Sequence, residues 1–436
     1  MATIAHGSYI LIQMEDTTVK IQKLVHGGQG LGELADGRKV FVWNSLPGEE
    51  VVVRLIKSKK GYAEAIADEI VVKSPERIDA IEPASYLATS PWQIMTFEAE
   101  NKYKQHILAE SLEREKVVLP KFDFVAGKAS VGYRSKMEFG FWGDKEGISL
   151  AHFVRGSHGK TKVVGSVLAH PAINNAVADI VAQLNTLTEG KRGIRAGDIK
   201  SVIVRCNQAG DTVAALFVKP KKFPKLSCPT SLKGLVVYHS NPKSPASVPT
   251  ELLQQEGDRT LHDKVMGVTL RYDVLSFFQV NLPVFELAVK QIDNYLQGMP
   301  KIDLYSGVGS IGIPIAGTTT LIELEDANSA MAKLNVGKKP IQVIHASADK
   351  SLDYITGDQA VIVDPPRAGL GAYVTNRLIE AKPPVIAYLS CNPSTQARDV
   401  KLLTEASYTI KAIEGYNFFP RTPHIESLII LQLSDS

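Results

Sequence analysis

Cysteine is nearly absent: the 436 residues hold three, Cys206, Cys228 and Cys391, far apart in the chain. That excludes a disulfide scaffold, and no CxxC pair or Cys/His cluster has metal-site spacing. Long apolar runs are missing as well. None approaches the roughly 18 residues a membrane helix needs, and Met1 to Asp16 lacks a basic stretch leading to a small-residue cleavage site. The expectation is a soluble, cytoplasmic protein that binds no membrane. Charge of one sign is scarce overall, at a formal net +3, so the total announces no polyanionic partner. Its distribution says more. Residues 101–170 carry twelve Lys/Arg against seven Asp/Glu, with further basic groups at Lys57, Lys59, Lys60 and at Lys219, Lys221, Lys222, Lys225. Each group alone reads as a solvated face; gathered outside the carboxy-terminal third, they point to a phosphate-facing surface.

What is present is enough apolar residue, 44%, to bury sizeable cores, and enough length for two to four domains at about 150 residues each. Residues 1–72 read as a small barrel of the oligonucleotide-binding kind. Strand-like Tyr9–Gln13, Val19–Val25, Lys39–Trp43, Glu50–Lys57 and Ala63–Val72 are broken by Gly27-Gly28, Asp36-Gly37 and Pro47-Gly48. Residues 73–275 read as an α+β domain of basic character. It has helices over Glu98–Arg114 and Ile173–Leu187, strands over Val131–Trp142, Ile148–Val154, Ile199–Cys206 and Thr212–Lys219, and loops over Lys219–Pro229 and Asn241–Ser247. Residues 276–436 then alternate strand and helix, with a helix beginning at Ile311–Ala316, which implies a mostly parallel, doubly wound sheet of the Rossmann-like kind.

Five features of this last region carry chemistry. Asp303-Leu304-Tyr305-Ser306-Gly307-Val308-Gly309-Ser310 follows its first strand, and glycines there let the backbone approach a ligand. Glu325 ends the next strand, where an acid can accept bonds from ribose hydroxyls. Asp364-Pro365-Pro366-Arg367 puts a carboxylate and a rigid turn at the carboxyl end of a buried strand. Leu389-Ser390-Cys391-Asn392-Pro393 brings a cysteine to the same sheet edge, and Glu426 stands at the mouth of the final strand, suited to a general base. Ser310, Ile311 and Gly312 break a pyrophosphate-binding pattern, so S-adenosylmethionine, which has no phosphate, fits better than a dinucleotide.

The ordered set FFQVN (277–281), DLYSGVGSIG (303–312), DPPRAGL (364–370), SCNP (390–393) and PHIE (423–426) resembles the RNA uridine-5-methyltransferases. GGQGLG (27–32), LPGE (46–49) and KKGYAEA (59–65) resemble their TRAM domain, and YRSKMEF (133–139) and HPAINN (170–175) their middle. The resemblance covers nearly the whole chain. It implies a TRAM-like barrel, a central RNA-binding α+β domain, and an S-adenosylmethionine-dependent catalytic domain. It also implies transfer of a methyl group to C5 of a uridine, flipped out of its stack, through a Cys391 adduct at C6 that Glu426 helps to resolve. Gln279, Tyr305, Gly307, Ser310, Glu325 and Asp364 match its cofactor positions; Phe277, Arg134 and Arg367 fall to the RNA. Ser310 stands where relatives commonly have Asn, and Ser347 where they often have Asn or an acid.

Many relatives hold an iron–sulfur cluster on four Cys; Leu87 and Ser90 stand where such ligands would be, so no cluster is expected. The barrel favours ribosomal RNA, 23S in particular, over transfer RNA, and a monomer is expected. Cytosine-5 methylation would want Pro-Cys or Thr-Cys before the nucleophile position. Amino-group methylation would want an aromatic where Arg367 stands. A non-catalytic RNA-binding or chaperoning protein on the same fold is the reading from another class, and retention of both Cys391 and Glu426 weighs against it.

Overall fold

A computed structural model describes residues 17–157, 159–188, 193–244 and 246–434. The chain divides into two compact units: one runs to Asp79 and takes in Ile94–Thr96, the other holds Ala80–Gln93 and Phe97–Ser436.

The first unit is a six-stranded sheet wound around Val19, Ile21, Val40, Val42, Val51, Val53, Ala63 and Ala65. The expected strand Tyr9–Gln13 lies outside the described residues. Val19–Val25 is two strands, Thr17–Lys20 and Lys23–Leu24, and an unexpected strand, Gly30–Glu33, follows. Glycine hid that strand by its low strand propensity, yet glycine is what the winding requires. A Cβ on Gly32 would lie 2.3 Å from Val19 Cγ1, and one on Gly30 would lie 2.7 Å from Ile21 Cγ2. Glu49 of LPGE is fully buried; it accepts from Leu46 N at 2.8 Å and from Arg77 Nη2 at 2.8 Å. Its role is to close a turn.

The second unit contains two large sheets. The central one has seven strands, ordered Lys160–Val163, Gly147–Phe153, Lys136–Asp144, Ile199–Cys206, Thr212–Val218, Gly234–His239, Glu251–Gly257. Alternation in Ile199–Cys206 and Thr212–Val218 sends Val202, Val204, Ala214 and Leu216 toward the helix Pro171–Thr186. Ile203, Val213, Ala215 and Phe217 face the core shared with the hairpin Thr260–Val265/Val268–Asp273 and the helix Leu282–Leu296.

The other sheet is ordered Gln342–His345, Thr318–Glu323, Lys301–Leu304, Ala360–Val363, Val385–Ser390, Glu426–Leu433, Tyr408–Asn417, Asp123–Ala126. Its first five strands are parallel, and Glu426–Leu433 runs against its neighbours. Strand order reverses beside Lys301–Leu304 and Ala360–Val363, so a crevice opens at their carboxyl ends. Asp123–Ala126, from the stretch read as central, completes this sheet, and the preceding helix Phe97–Arg114 packs on it. The two sheets therefore share one unit, with no break at residue 276. The expected helix over Ile311–Ala316 is a run of turns: Pro314 lacks an N–H, Gly317 has φ +84°, and Gly312 N is held by Asp303 Oδ2 at 2.9 Å.

Candidate active site

At the crevice lies a cavity of about 770 Å³. Its walls come from the ends of successive strands, each shaped by local sequence. In FFQVN the extended backbone alternates sides. Phe278 stacks on Tyr272 at 4.2 Å in the core, while Phe277, 59% exposed, and buried Gln279 face the cavity. This segment is fixed from behind. Buried Arg205 donates to the carbonyls of Ser276 at 2.6 Å and Phe278 at 3.1 Å, and Phe277 N donates to Asn328 Oδ1 at 3.0 Å.

In DLYSGVG the chain leaves Lys301–Leu304 through left-handed Tyr305 (φ 62°) and Gly307 (φ 58°). The first is unusual for a side-chain-bearing residue and marks a backbone held for a purpose. Glu323, buried at the end of its strand, accepts from Gly307 N and Glu325 N, both at 2.7 Å. Glu325, picked from the sequence for the end of that strand, lies beyond it, exposed, as the N-cap of the helix Asp326–Val336. A period-2 count would have found Glu323, because the last inward-facing residue of a parallel strand points at the crevice.

The DPPR and SCNP turns are tied together. Arg367 O accepts from Asn392 Nδ2 at 2.8 Å and Thr395 Oγ1 at 3.1 Å, and Asn392 caps the helix Pro393–Glu405. Cys391 and Asp364 are half-buried on the cavity wall with buried Glu426. Arg367 reaches His424, Nη2 to Nδ1 3.4 Å, and His424 lies edge-on to Phe419. The electrostatics are those of crowded acids. Burial pushes the Asp364 carboxyl up to about 7. Glu426 sits well above the usual carboxyl range, first through burial and then through Asp364, with Arg367 pulling the other way. The Cys391 thiol is pushed up to about 11 by burial, Glu426 and Asp364, again opposed by Arg367.

The structure thus brings Cys391, Glu426, Gln279, Tyr305, Gly307, Glu325, Asp364, Phe277, Arg134 and Arg367 to one cavity. Ser310 is not on its wall: the turns that replace the expected helix carry it past the crevice, and Ser347 lines the cavity instead. Sequence reasoning also missed Glu323, Asn328, Asp349, Phe419 and His424. A place for S-adenosylmethionine fits these surroundings. The glycine turn and the Glu323 carboxyl face the cavity, Leu324, Ala348 and Pro365 give it an apolar lip, and five acids against Arg134 and Arg367 suit a cationic sulfonium. In the cluster of Leu87 and Ser90, Ser90 Oγ accepts from Gln93 Nε2 at 2.6 Å, and Gln93 also bonds Glu82.

Fold and site together define a methyltransferase with an amino-terminal small β unit. The profile of the TRAM domain matches residues 15–67, and that of the tRNA (uracil-5-)-methyltransferases matches residues 349–434. An uncharacterized RNA methyltransferase of Aquifex aeolicus is 29% identical over 97% of this chain and 100% of its own. One of Fusobacterium nucleatum is 26% identical over 95% of both chains. Among solved structures, the tRNA (uracil-54, C5)-methyltransferase of Pyrococcus abyssi, crystallised with S-adenosyl-L-homocysteine, superposes with a TM-score of 0.75. That match has 24% identity and covers 94% of this chain and 99% of that one. The chain is thus similar to RNA methyltransferases over nearly its whole length, and to the uracil-5-methyltransferase profile over residues 349–434.

Proposed function

We propose that the protein methylates C5 of a uridine in RNA through a covalent adduct between Cys391 and C6. The observation that carries this reading is the meeting of Cys391, Glu426 and Asp364 on one wall of a cavity whose mouth holds exposed Phe277. The uridine leaves its stack and rests on Phe277. The Cys391 thiolate adds to C6, moving the ring electrons toward O4 and making C5 nucleophilic. Arg367 lowers the energy of that thiolate and turns its guanidinium toward the ring. Glu323, Gln279, Tyr305, Gly307 and Asp364 would hold S-adenosylmethionine, and C5 would take its methyl group as the sulfonium–methyl bond breaks and S-adenosylhomocysteine leaves. Glu426 as carboxylate then takes the C5 proton, the C5–C6 double bond reforms, and the C6–sulfur bond breaks to return the Cys391 thiolate. Glu325 and Arg134 serve the cofactor end and the RNA end of the cavity rim.

Ribosomal RNA is the substrate we favour, on the TRAM match. Transfer RNA is the second reading, because the Pyrococcus protein, named for a transfer-RNA position, matches 94% of this chain, barrel included. The enzyme would act as a monomer in the cytoplasm. Incubation with RNA containing 5-fluorouridine and labelled cofactor should give a covalent complex stable to denaturation. Cys391→Ala should abolish it, and a complex that persists overturns the nucleophile. With ordinary uridine, Glu426→Gln should accumulate methylated adduct; clean turnover rejects the base. Mapping 5-methyluridine in a deletion strain decides between the two RNAs.

A further inference from the structure

A second cavity, of about 640 Å³, lies in the central sheet and shares no wall residue with the first. It opens between the hairpin Lys136–Asp144/Gly147–Phe153 and the turn at 194–197. The two walls meet at Gly143, where a Cβ would stand 2.8 Å from Ala196 Cβ. Its polar lining is almost wholly cationic: Lys145, Lys160, Arg195 and Lys219 against Asp144. That one acid is engaged elsewhere, by Lys162, which also holds Glu146 at 2.9 Å, and by the Trp142 indole N–H. Among the described residues no carboxylate pairs with any of the four cations. Lys160 is held by the Phe141 carbonyl at 2.9 Å and Lys219 by that of Gly197 at 2.7 Å. Burial and the neighbouring Lys219 charge push the Lys160 ammonium below its ordinary range, so these two groups repel, and among the described residues no counter-charge stands between them. Trp142 is 41% exposed at the same rim, its ring oriented by Asp144.

Uncompensated positive charge focused in a cleft draws a polyanion, and an oriented exposed indole offers a face on which a base can stack. An acidic peptide would satisfy the charges and leave the indole unused. We infer that this cleft is a second RNA site, which takes one unstacked nucleotide with its flanking phosphates from the same RNA whose uridine enters the catalytic cavity. This rests on the RNA-methylation reading for the identity of the RNA. The site would act as an anchor: it raises affinity and sets which uridine reaches Cys391, and takes no part in the transfer itself.

The test uses the full chain and labelled single-stranded oligo(U). Trp142→Ala should weaken binding about tenfold, as loss of one stacked base does, and Trp142→Phe should restore most of it. Lys145→Gln with Arg195→Gln, both on exposed side chains, should weaken binding as much. The pair should also flatten the slope of log affinity against log salt by about 1.4, the share of two phosphates on a single strand. On substrate RNA, KM should rise and kcat hold. Unchanged affinity and slope in both variants overturn the site, as does a poly-glutamate peptide that competes as well as oligo(U). If no RNA is methylated but these binding losses appear, the proposed function fails and the site stands. If methylation proceeds and the losses are absent, the site alone fails.

Discussion

At Cys391 the resting sulfur is a thiol. With its pKa pushed up to about 11, the thiolate fraction at pH 7.5 is roughly 3 in 10,000. Adduct formation should therefore accelerate close to tenfold per pH unit between pH 6.5 and 9, until another step limits. Arg367 is the positive group that opposes the rise. Arg367→Leu should move this limb upward by roughly half to one unit and slow the reaction at pH 7.5 about three- to tenfold. The change should stay constant along the rising limb and narrow only where another step limits, with little change in melting temperature, since the side chain is exposed. A pH profile identical to wild type would remove Arg367 from this role. Asp364 gives the complementary case. Its folded pKa, about 7, lies above the ordinary carboxyl value of about 4, so its contribution to stability is complete below about pH 4 and lost as pH rises through 7. Asp364→Asn should raise the melting temperature of the second unit by a few degrees at pH 8, not at pH 4, while abolishing methyl transfer. Equal melting shifts at both pH values would show that burial of this carboxylate is not what the fold works against.

The loop between the last two strands delivers Phe419, His424 and Glu426, and a buried polar network holds it. Glu100, on the helix Phe97–Arg114, accepts from Arg421 N at 3.0 Å, Asn417 Nδ2 at 2.8 Å and Lys104 Nζ at 2.9 Å. Lys104 donates to Asn417 Oδ1 at 2.7 Å and Phe419 O at 3.1 Å. Removing one partner of such a pair strands a buried charge, a loss of about 3–5 kcal/mol. Lys104→Met should therefore lower the melting temperature and cut kcat roughly tenfold with little effect on the cofactor KM, and adding Glu100→Gln should recover much of both. Wild-type kcat in the single variant would separate this network from catalysis. None of it was legible in the sequence, where Glu100 and Lys104 look like an ordinary i, i+4 surface pair. Elements with a strong local signature were legible: the apolar run Val385–Ser390, the alternation in Glu50–Ser58 and the 3.6 period of Pro171–Thr186. Gly30–Glu33 was not, because its glycines answer to a neighbouring strand. Nor was Asp123–Ala126, whose pairing with Tyr408–Asn417 bridges nearly three hundred residues and leaves no local trace. Within the site, residues that act through a turn sequence (Cys391, Asp364, Gly307) were readable, whereas Glu323 looked like a strand residue beside the more conspicuous Glu325-Asp326.

Across the whole molecule, charge is divided between two tasks. The proposed catalytic cavity has Glu323, Glu325 and Asp349, with Asp364 and Glu426 pushed by burial toward their neutral forms, against Arg134 and Arg367, a balance that should suit a sulfonium better than a phosphate backbone. Affinity for RNA must then come from the basic groups outside it, among them the excess of Lys and Arg over 101–170. Those two sources respond unequally to salt. Phosphate contacts release counterions, so if as few as four phosphates are neutralised on a single strand, log affinity should fall against log salt with a slope of about −2.8. That is roughly fiftyfold weaker binding between 50 and 200 mM. The cavity's acids, close to a cation and partly buried, are screened much less. Steady-state methylation at increasing salt should therefore show the RNA KM climbing steeply, the cofactor KM climbing slightly, and kcat at saturating RNA nearly constant. A flat RNA KM would mean that shape and base contacts, with no help from the basic surface, hold the substrate. A cofactor KM that climbs in step with it would mean that the acids do not face the donor, and the charge division would fall with them.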